Sequence, residues 1–332
     1  KRATHMCTLY ALGSYIIDQT TLKDKIIKTY DHIISETLYK NNNEPLYYWY
    51  LVSLYHDIGY NNSEHNLKYD LFSYKTSIRK FIKDIKELSF NIEIDKIFDR
   101  YVDNRFDNEF RIRKSIKEPY HMYNNRFEYN PYIFNSYYHS QVYKRYYQCR
   151  NIELAGNENE QFEHGIYGGK TLFNNILVTM INSINNFTVI SDQYLLDERQ
   201  NLVWFPEQID IFRDIALTIA THNIWKSAFK KYEFKSSFRK VSKNNPMLYL
   251  LCVCDNIDPY KFLMNRDLSI TNIKDLLNDI HITFKEDVIT IESHRKEMFE
   301  YFERIKKTFD DYIDVKYSHH FDLEFHKIEI NL

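Results

Sequence analysis

The chain has 332 residues, of which 44% are hydrophobic and 27% are charged, so its composition is that of a folded protein and excludes a disordered chain. The 44 lysines and arginines nearly balance the 46 aspartates and glutamates, and the formal net charge is -2. Because no basic excess is present, we do not expect duplex nucleic acid as a partner. Glycine and proline occur only six times each, which disfavours glycine-rich phosphate loops and turn-dense β architectures.

Cysteine content and hydropathy bear on the compartment. Four scattered cysteines are too few for a disulfide framework, and no apolar run approaches the ~20 residues of a membrane helix. We therefore expect a cytoplasmic protein without membrane association. Residues 1–6 resemble a cloning remnant before a natural start at Met6, and on that ground His5 is set aside as a ligand candidate.

Helical patterns dominate the chain up to about residue 260. Apolar residues recur with a period of about 3.6 residues, which is typical of amphipathic helices. The predicted helices cover 22–39, 45–57, 74–90, 92–103, 162–184, 207–222 and 246–256.

Two regions depart from this pattern. Residues 104–150 are crowded with Arg, Asn, Tyr and His and lack periodicity, which predicts a long loop-rich insertion at about 65–160. The β-prone stretches 187–190 and 202–205 predict a small β-hairpin. Beyond residue 260 the pattern becomes mixed and predicts a small α+β C-terminal appendage at 261–332. Its predicted strands are 268–271, 281–284, 287–291 and 321–330, and its predicted helix is 294–312.

The first candidate for chemistry is a His-Asp pair, His56 and Asp57, at the end of an apolar helix. Helical spacing places Asp57 on the same face as Trp49 and Ser53, so that its carboxylate points toward the core. A buried carboxylate needs a partner because an unpaired charge in low dielectric costs several kcal/mol. That partner is either a divalent metal or a basic side chain.

Other side chains that can bind a metal stand at helix ends or on inward helix faces. Combined imidazole and carboxylate ligands suit Mn, Fe, Zn, Ni or Co. The set consists of His32, His164, His222 and Asp255.

In chain order, these residues resemble the metal ligands of the HD-domain metal-dependent phosphohydrolase superfamily. The segment 54–59 matches the family's apolar-apolar-His-Asp-Ile-Gly motif, 245–255 resembles its last apolar helix ending in Asp, and Glu163-His164 resembles the pair that opens its middle helix. The likeness is closest to HD domains of bacterial conflict systems. It implies a mainly α HD-domain helical bundle at 7–260.

The resemblance also implies ligand roles. His32, His56, Asp57 and Asp255 would hold one ion, and Asp57 would bridge to a second ion held by His164 and His222. With a single ion, His164 would instead be free to act as a general acid or to contact phosphate. Tyr60 stands where many family members have Lys, which leaves that phosphate contact without its usual residue.

Four further residues are weaker candidates. Glu163 could orient water or a ligand imidazole, and Lys170, Asn223 and Lys226 could contact substrate phosphate. Each has a structural alternative as a solvent-exposed or helix-terminal residue.

The resemblance implies hydrolysis of a nucleotide or a related small phosphorylated molecule by attack of metal-activated hydroxide, with one or two divalent ions as cofactor. One alternative is a phosphodiesterase that cleaves a cyclic nucleotide or single-stranded nucleic acid. Another is a non-catalytic HD module that binds a nucleotide or a partner protein. Contact with a second copy or another protein through the C-terminal appendage stays open.

Overall fold

The computed structural model describes residues 2–31, 45–61, 67–71, 73–88, 158–186, 206–222, 246–264, 266, 268–285, 287–309, 315–320 and 325–331. Within these ranges the protein has ten α-helices and one four-stranded antiparallel sheet, which confirms the prediction of a mainly α protein with a small β part. The predicted helix at 92–103, the predicted hairpin and most of the predicted insertion lie outside the described residues.

The described part of the chain that precedes the sheet consists mainly of helices. The helices predicted around residues 45, 74, 162, 207 and 246 are confirmed, and an additional helix includes the residues that were set aside at the start of the chain. The helices are α1 (Arg2–Gln19), α2 (Leu22–Asp31), α3 (Pro45–Tyr55), α4 (Tyr74–Leu88), α5 (Glu158–Asn186), α6 (Pro206–Thr221), α7 (Pro246–Ile257) and α8 (Pro259–Leu263), with a 3-10 turn at Ile58–Asn61 after α3.

Helix α7 lies at the centre of this arrangement. Its residues are apolar on every side, and all of those from Pro246 to Asp255 are buried, which is typical of a helix surrounded by others. Helices α1, α2, α3 and α6 contact it. Asp255 near its C-terminal end is therefore a carboxylate in the middle of the fold.

Two glycines permit the close backbone approaches that shape this region. A Cβ atom on Gly59 would lie 1.9 Å from the carbonyl oxygen of His164, and one on Gly169 would lie 2.3 Å from the carbonyl oxygen of Ala216. No side chain fits at those distances, so glycine is required there. The 3-10 turn and α6 can therefore approach the backbone of α5 directly.

The C-terminal part is a small α+β unit. Its strands are β1 (His281–Lys285), β2 (Val288–Ser293), β3 (Val315–His320) and β4 (Phe325–Asn331), in the order β1-β2-β4-β3. Ile289 pairs with Ile330 and Ile291 with Ile328, and all four side chains are buried. The predicted helix at 294–312 is confirmed over α10 (Phe299–Phe309), which contacts β3 and β4.

One predicted strand is wrong. Residues 268–271 were expected to be extended, but α9 (Ile270–Asn278) begins there. The hydroxyl of Ser269 accepts a hydrogen bond from the backbone N–H of Asn272 and caps the helix. The β-branched residues Ile270 and Thr271 suggested a strand, whereas the N-cap chemistry of Ser269 decides the structure.

The C-terminal unit is anchored to α7. The hydroxyl of Tyr301 donates to the carbonyl oxygen of Ile257, and the hydroxyl of Tyr249 donates to that of Asn331. The guanidinium of Arg304 donates to the carbonyl oxygen of Asn256 at 3.3 Å. The end of α7 that carries Asp255 is thus held by α10. Among the described helices, none combines the length and apolar character that a membrane crossing requires.

Candidate metal centre

A cluster of buried histidines and aspartates forms where five helical segments meet. Each of its residues is at most 8% exposed. The members are His5 on α1, His56 and Asp57 directly after α3, His164 on α5, His222 directly after α6 and Asp255 on α7.

His5 corrects the sequence analysis, which had set it aside. Its Nε2 lies 3.1 Å from Oδ1 of Asp255, 3.3 Å from Nε2 of His56 and 3.9 Å from Oδ2 of Asp57. Residues 2–6 are the start of α1, and His5 shares a helix face with the buried Leu9. The exclusion of His5 was therefore wrong. His32, which was given this place, lies outside the described residues.

One side of the cluster, the first ligand group, consists of His5, His56, Asp57 and Asp255. Ligand atoms of the first three all lie within 4.8 Å of one another. Nε2 of His56 is 3.5 Å from Oδ1 of Asp57 and 3.9 Å from Oδ1 of Asp255. His5, His56 and Asp57 could therefore hold a metal ion, and Asp255 lies close to both histidines.

The other side, the second ligand group, consists of Asp57, His164 and His222. Their ligand atoms also lie within 4.8 Å of one another, and Nε2 of His164 is 3.5 Å from Oδ1 of Asp57. The two histidine rings meet edge to face at 5.2 Å between their centroids. Asp57 belongs to both groups, so its carboxylate lies between two positions that could each hold a cation.

The hydrogen bonds of two histidines prepare them as ligands. Nδ1 of His56 lies 2.8 Å from the carbonyl oxygen of Ser53, and Nδ1 of His222 lies 2.6 Å from that of Ile219. A carbonyl only accepts, so Nδ1 carries the proton in both rings and Nε2 keeps a lone pair. Each histidine directly follows a helix and satisfies one of its last free carbonyl groups.

Nε2 of His222 provides a direct test of whether a metal fits. This atom is buried and has no hydrogen-bond partner among the described residues. Leaving a buried polar atom unsatisfied costs about 1–3 kcal/mol, whereas a lone pair that binds a cation carries no such cost. The second ligand group therefore suits a divalent ion.

Asp258 holds His5 of the first ligand group through a hydrogen bond. Its Oδ2 accepts hydrogen bonds from Nδ1 of His5 at 2.6 Å and from the hydroxyl of Thr8 at 2.8 Å. Its Oδ1 accepts from the backbone N–H of Tyr260 and so caps α8. Such a carboxylate fixes the ring orientation and aims Nε2 at the metal position. The sequence analysis did not single out Asp258, although Asp258 before Pro259 is a recognisable N-cap signal.

The electrostatics of the cluster reflect this dense packing. Burial disfavours the charged form of His5, but hydrogen bonds to Asp255 and Asp258 outweigh it and raise the pKa of His5 to about 9. Burial also opposes ionisation of Asp57, yet His56 and Lys261 hold its pKa below the usual value. For His222, burial and the neighbouring His164 lower the pKa well below its usual value, so the ring is neutral.

Lys261 on α8 is a basic residue that sequence reasoning did not single out. Its ammonium donates to Oδ1 of Asp255, the oxygen that Nε2 of His5 also contacts. Burial opposes its charge, but Asp255 and Asp57 raise the pKa of Lys261 above its usual value. No local sequence pattern identifies it, because the contact with Asp255 depends on the turn between α7 and α8.

The remaining candidates are placed as follows. Lys170 is buried on α5, with Nζ 3.4 Å from Oδ1 of Asp70. Glu163 belongs to the first turns of α5, but its side chain lies outside the described set, as do Asn223 and Lys226 entirely. The ring of Tyr60 stacks on His164, with 3.8 Å between centroids and 13° between planes.

Comparison of the chain with protein-family models, with curated proteins and with solved structures finds no match. The description of the protein's class therefore rests on its fold and its site alone. It is a mainly helical protein whose buried His/Asp cluster could hold a metal ion and is compatible with an HD-type metal site.

Proposed function

We propose that the chain is a metal-dependent phosphohydrolase that acts on a phosphoester or phosphoanhydride bond of a nucleotide or a related small phosphorylated molecule. The observation that carries this proposal is the pair of ligand groups that share Asp57. Paired ions about 3.5–4 Å apart can clamp the attacking and leaving oxygens of a phosphoryl group. A shared carboxylate suits such a pair.

The residues of the chain have distinct roles in this proposal. The first ligand group and the second ligand group would each hold one divalent ion of Mn, Fe, Zn, Ni or Co. When bound, such ions lower the pKa of water and neutralise charge on phosphoryl oxygens. Asp57 would contribute to both ion positions. Asp258 binds Nδ1 of His5 and so would keep Nε2 of that ring directed at the ion of the first ligand group.

The preference for a small substrate rests on charge. The formal net charge is -2, so the chain lacks the excess of positive charge by which proteins attract long nucleic acids. The phosphorylated substrate would instead be held by local contacts at the cluster.

The test combines metal analysis of the purified protein with a phosphate-release screen over nucleoside mono-, di- and triphosphates, cyclic nucleotides and a single-stranded oligonucleotide. Asp57→Ala removes the carboxylate common to both ligand groups, so it should lose both ions and reduce turnover to background. Asp24→Ala, an exposed carboxylate on α2, is the matched control and should change neither.

The outcomes separate the proposal from its alternatives. Cleavage confined to cyclic nucleotides or the oligonucleotide would identify a phosphodiesterase. Metal content without turnover on any substrate would favour a binding module. Full activity of Asp57→Ala would contradict the proposal.

A further inference from the structure

We propose that Lys261 binds the phosphoryl group of the substrate beside the first ligand group. This inference rests on the proposed function and names a substrate-binding residue within it. It starts from the position of the Lys261 ammonium on Asp255, in a cluster otherwise built from histidines and aspartates.

The local structure delivers this lysine to the cluster. Helix α7 ends shortly after Asp255, and Asp258 caps the short helix α8 that follows. The resulting turn brings the Lys261 ammonium back onto Oδ1 of Asp255, six residues earlier in the chain. The Lys261 side chain is 27% exposed whereas that of Asp255 is 4% exposed, so the lysine reaches from solvent to the buried ligands.

A purely structural role explains this contact poorly. An ammonium on a ligand oxygen competes with a divalent ion for the same lone pairs, so a lysine there weakens metal binding. If its only task were to neutralise Asp255, it would become redundant as soon as the ion bound. A second task in the metal-loaded protein accounts for its presence.

Phosphate binding is the task that the chemistry of lysine fits. Its ammonium sits on a flexible four-carbon stem, and a shift of a few ångströms would move it from Asp255 to a neighbouring anion. Lysine binds phosphate as a point charge through charge-assisted hydrogen bonds. A phosphoryl oxygen next to the first ligand group would replace the carboxylate oxygen as its partner.

The surroundings of Lys261 also favour an anion on this side. Arg304 of α10 adds positive charge close to Lys261 and Asp255. Its guanidinium is already bound to the main chain of Asn256, so it strengthens the local potential and is not itself assigned as a ligand. Lys170, a phosphate candidate from sequence, is instead placed beside Asp70.

The experiment measures binding of inorganic phosphate to the manganese-loaded full chain by calorimetry. Lys261→Met should weaken phosphate binding about tenfold or more, because a hydrogen bond to a charged group is lost. Lys261→Arg should stay within about threefold of the wild type, since the charge and the donors remain. Lys83→Met, at a lysine that is 76% exposed on α4, is the matched control and should bind phosphate normally.

Metal stoichiometry, measured on the same samples, separates a phosphate contact from a structural one. It should be unchanged in Lys261→Met, and Lys261→Gln replaces that variant if thermal unfolding shows a folding defect. Wild-type phosphate affinity in the Met or Gln variant, or loss of metal from the variant, would overturn the role of Lys261.

These results are distinguishable from failure of the proposed function. If the wild-type protein binds metal and phosphate but hydrolyses no substrate, the hydrolase is refuted. A weaker phosphate affinity of Lys261→Met would then still support the Lys261 contact. A wild-type protein that binds no metal would overturn both.

Discussion

The two ligand groups share Asp57 but differ in the charge around them. The first ligand group lies next to Asp258 and Lys261, so it combines carboxylates with competing positive charge. Within the described ranges, the second ligand group adds two buried histidine rings to Asp57. Among the described residues, the first group therefore has two carboxylates, Asp57 and Asp255, and the second has Asp57 alone.

This difference indicates that the two positions should bind ions with unequal strength. Coulomb attraction grows with each carboxylate close to the cation, and the first ligand group contributes Asp255 in addition to Asp57. The second group supplies imidazole nitrogens where the first supplies a second carboxylate. We expect the first group to hold its ion more tightly, and the second ion to be lost first on dialysis against a chelator.

Among residues that belong to one ligand group only, the largest effect should come from removing His5. His5→Ala takes away a ligand of the tighter position, so the protein should retain at most one ion and lose turnover. Metal analysis and the phosphate-release assay measure both. His32→Ala is the informative comparison, because His32 was the residue expected from sequence. Loss of the ion in His32→Ala with retention in His5→Ala would reverse our assignment.

A smaller effect is expected from His222→Ala. This variant removes a ligand of the weaker position only, so one ion should stay bound with an affinity close to that in the wild type. Isothermal titration calorimetry of the metal-free protein with manganese would resolve the two binding steps. If His222→Ala abolished both steps, the two positions could not be treated as separate.

The smallest effect is expected from Asp258→Asn. An amide nitrogen cannot accept the hydrogen bond of His5 Nδ1, so the ring loses its fixed orientation while α8 can keep its cap. Loss of such a supporting carboxylate typically costs about 10- to 100-fold in metal affinity. The first binding step should weaken and the second should not. Thr8→Val, which removes a neighbouring contact to Asp258, should change the affinity less, and equal losses in the two variants would argue against the orienting role.

Much of the cluster could be predicted from the sequence because its residues break a strong pattern. His56, Asp57 and Asp255 are polar groups at the ends of apolar helices, where a buried charge requires an explanation. His222 follows the same rule. Helical periodicity marked these positions as candidates, and the resemblance to the HD-domain superfamily implied their ligand roles.

The residues that the sequence analysis missed either do not interrupt an apolar helical pattern or had been set aside. His5 lies four positions before Leu9 and eleven before Ile16, both buried on the same face of α1, so the helical signal was present in residues excluded from the fold reasoning. Asp258 and Lys261 depend on the turn between α7 and α8. Asp258 contacts His5, which is distant in sequence, and Lys261 contacts Asp255 across the turn between the two helices. Helical periodicity predicts neither kind of contact.

The fold shows the same division. Long periodic helices such as α5 and α6 were predicted closely, whereas the short β-branched segment at the start of α9 was read as a strand. Over a few residues, strand propensity and helix capping compete, and the cap provided by Ser269 prevails.

The most direct test of the central claim is a crystal structure of the chain soaked in manganese, analysed by anomalous scattering. We predict two anomalous peaks on either side of Asp57, one beside His5 and Asp255 and the other beside His164 and His222. The absence of an anomalous peak from the cluster would contradict the account, and so would peaks that Asp57 does not contact.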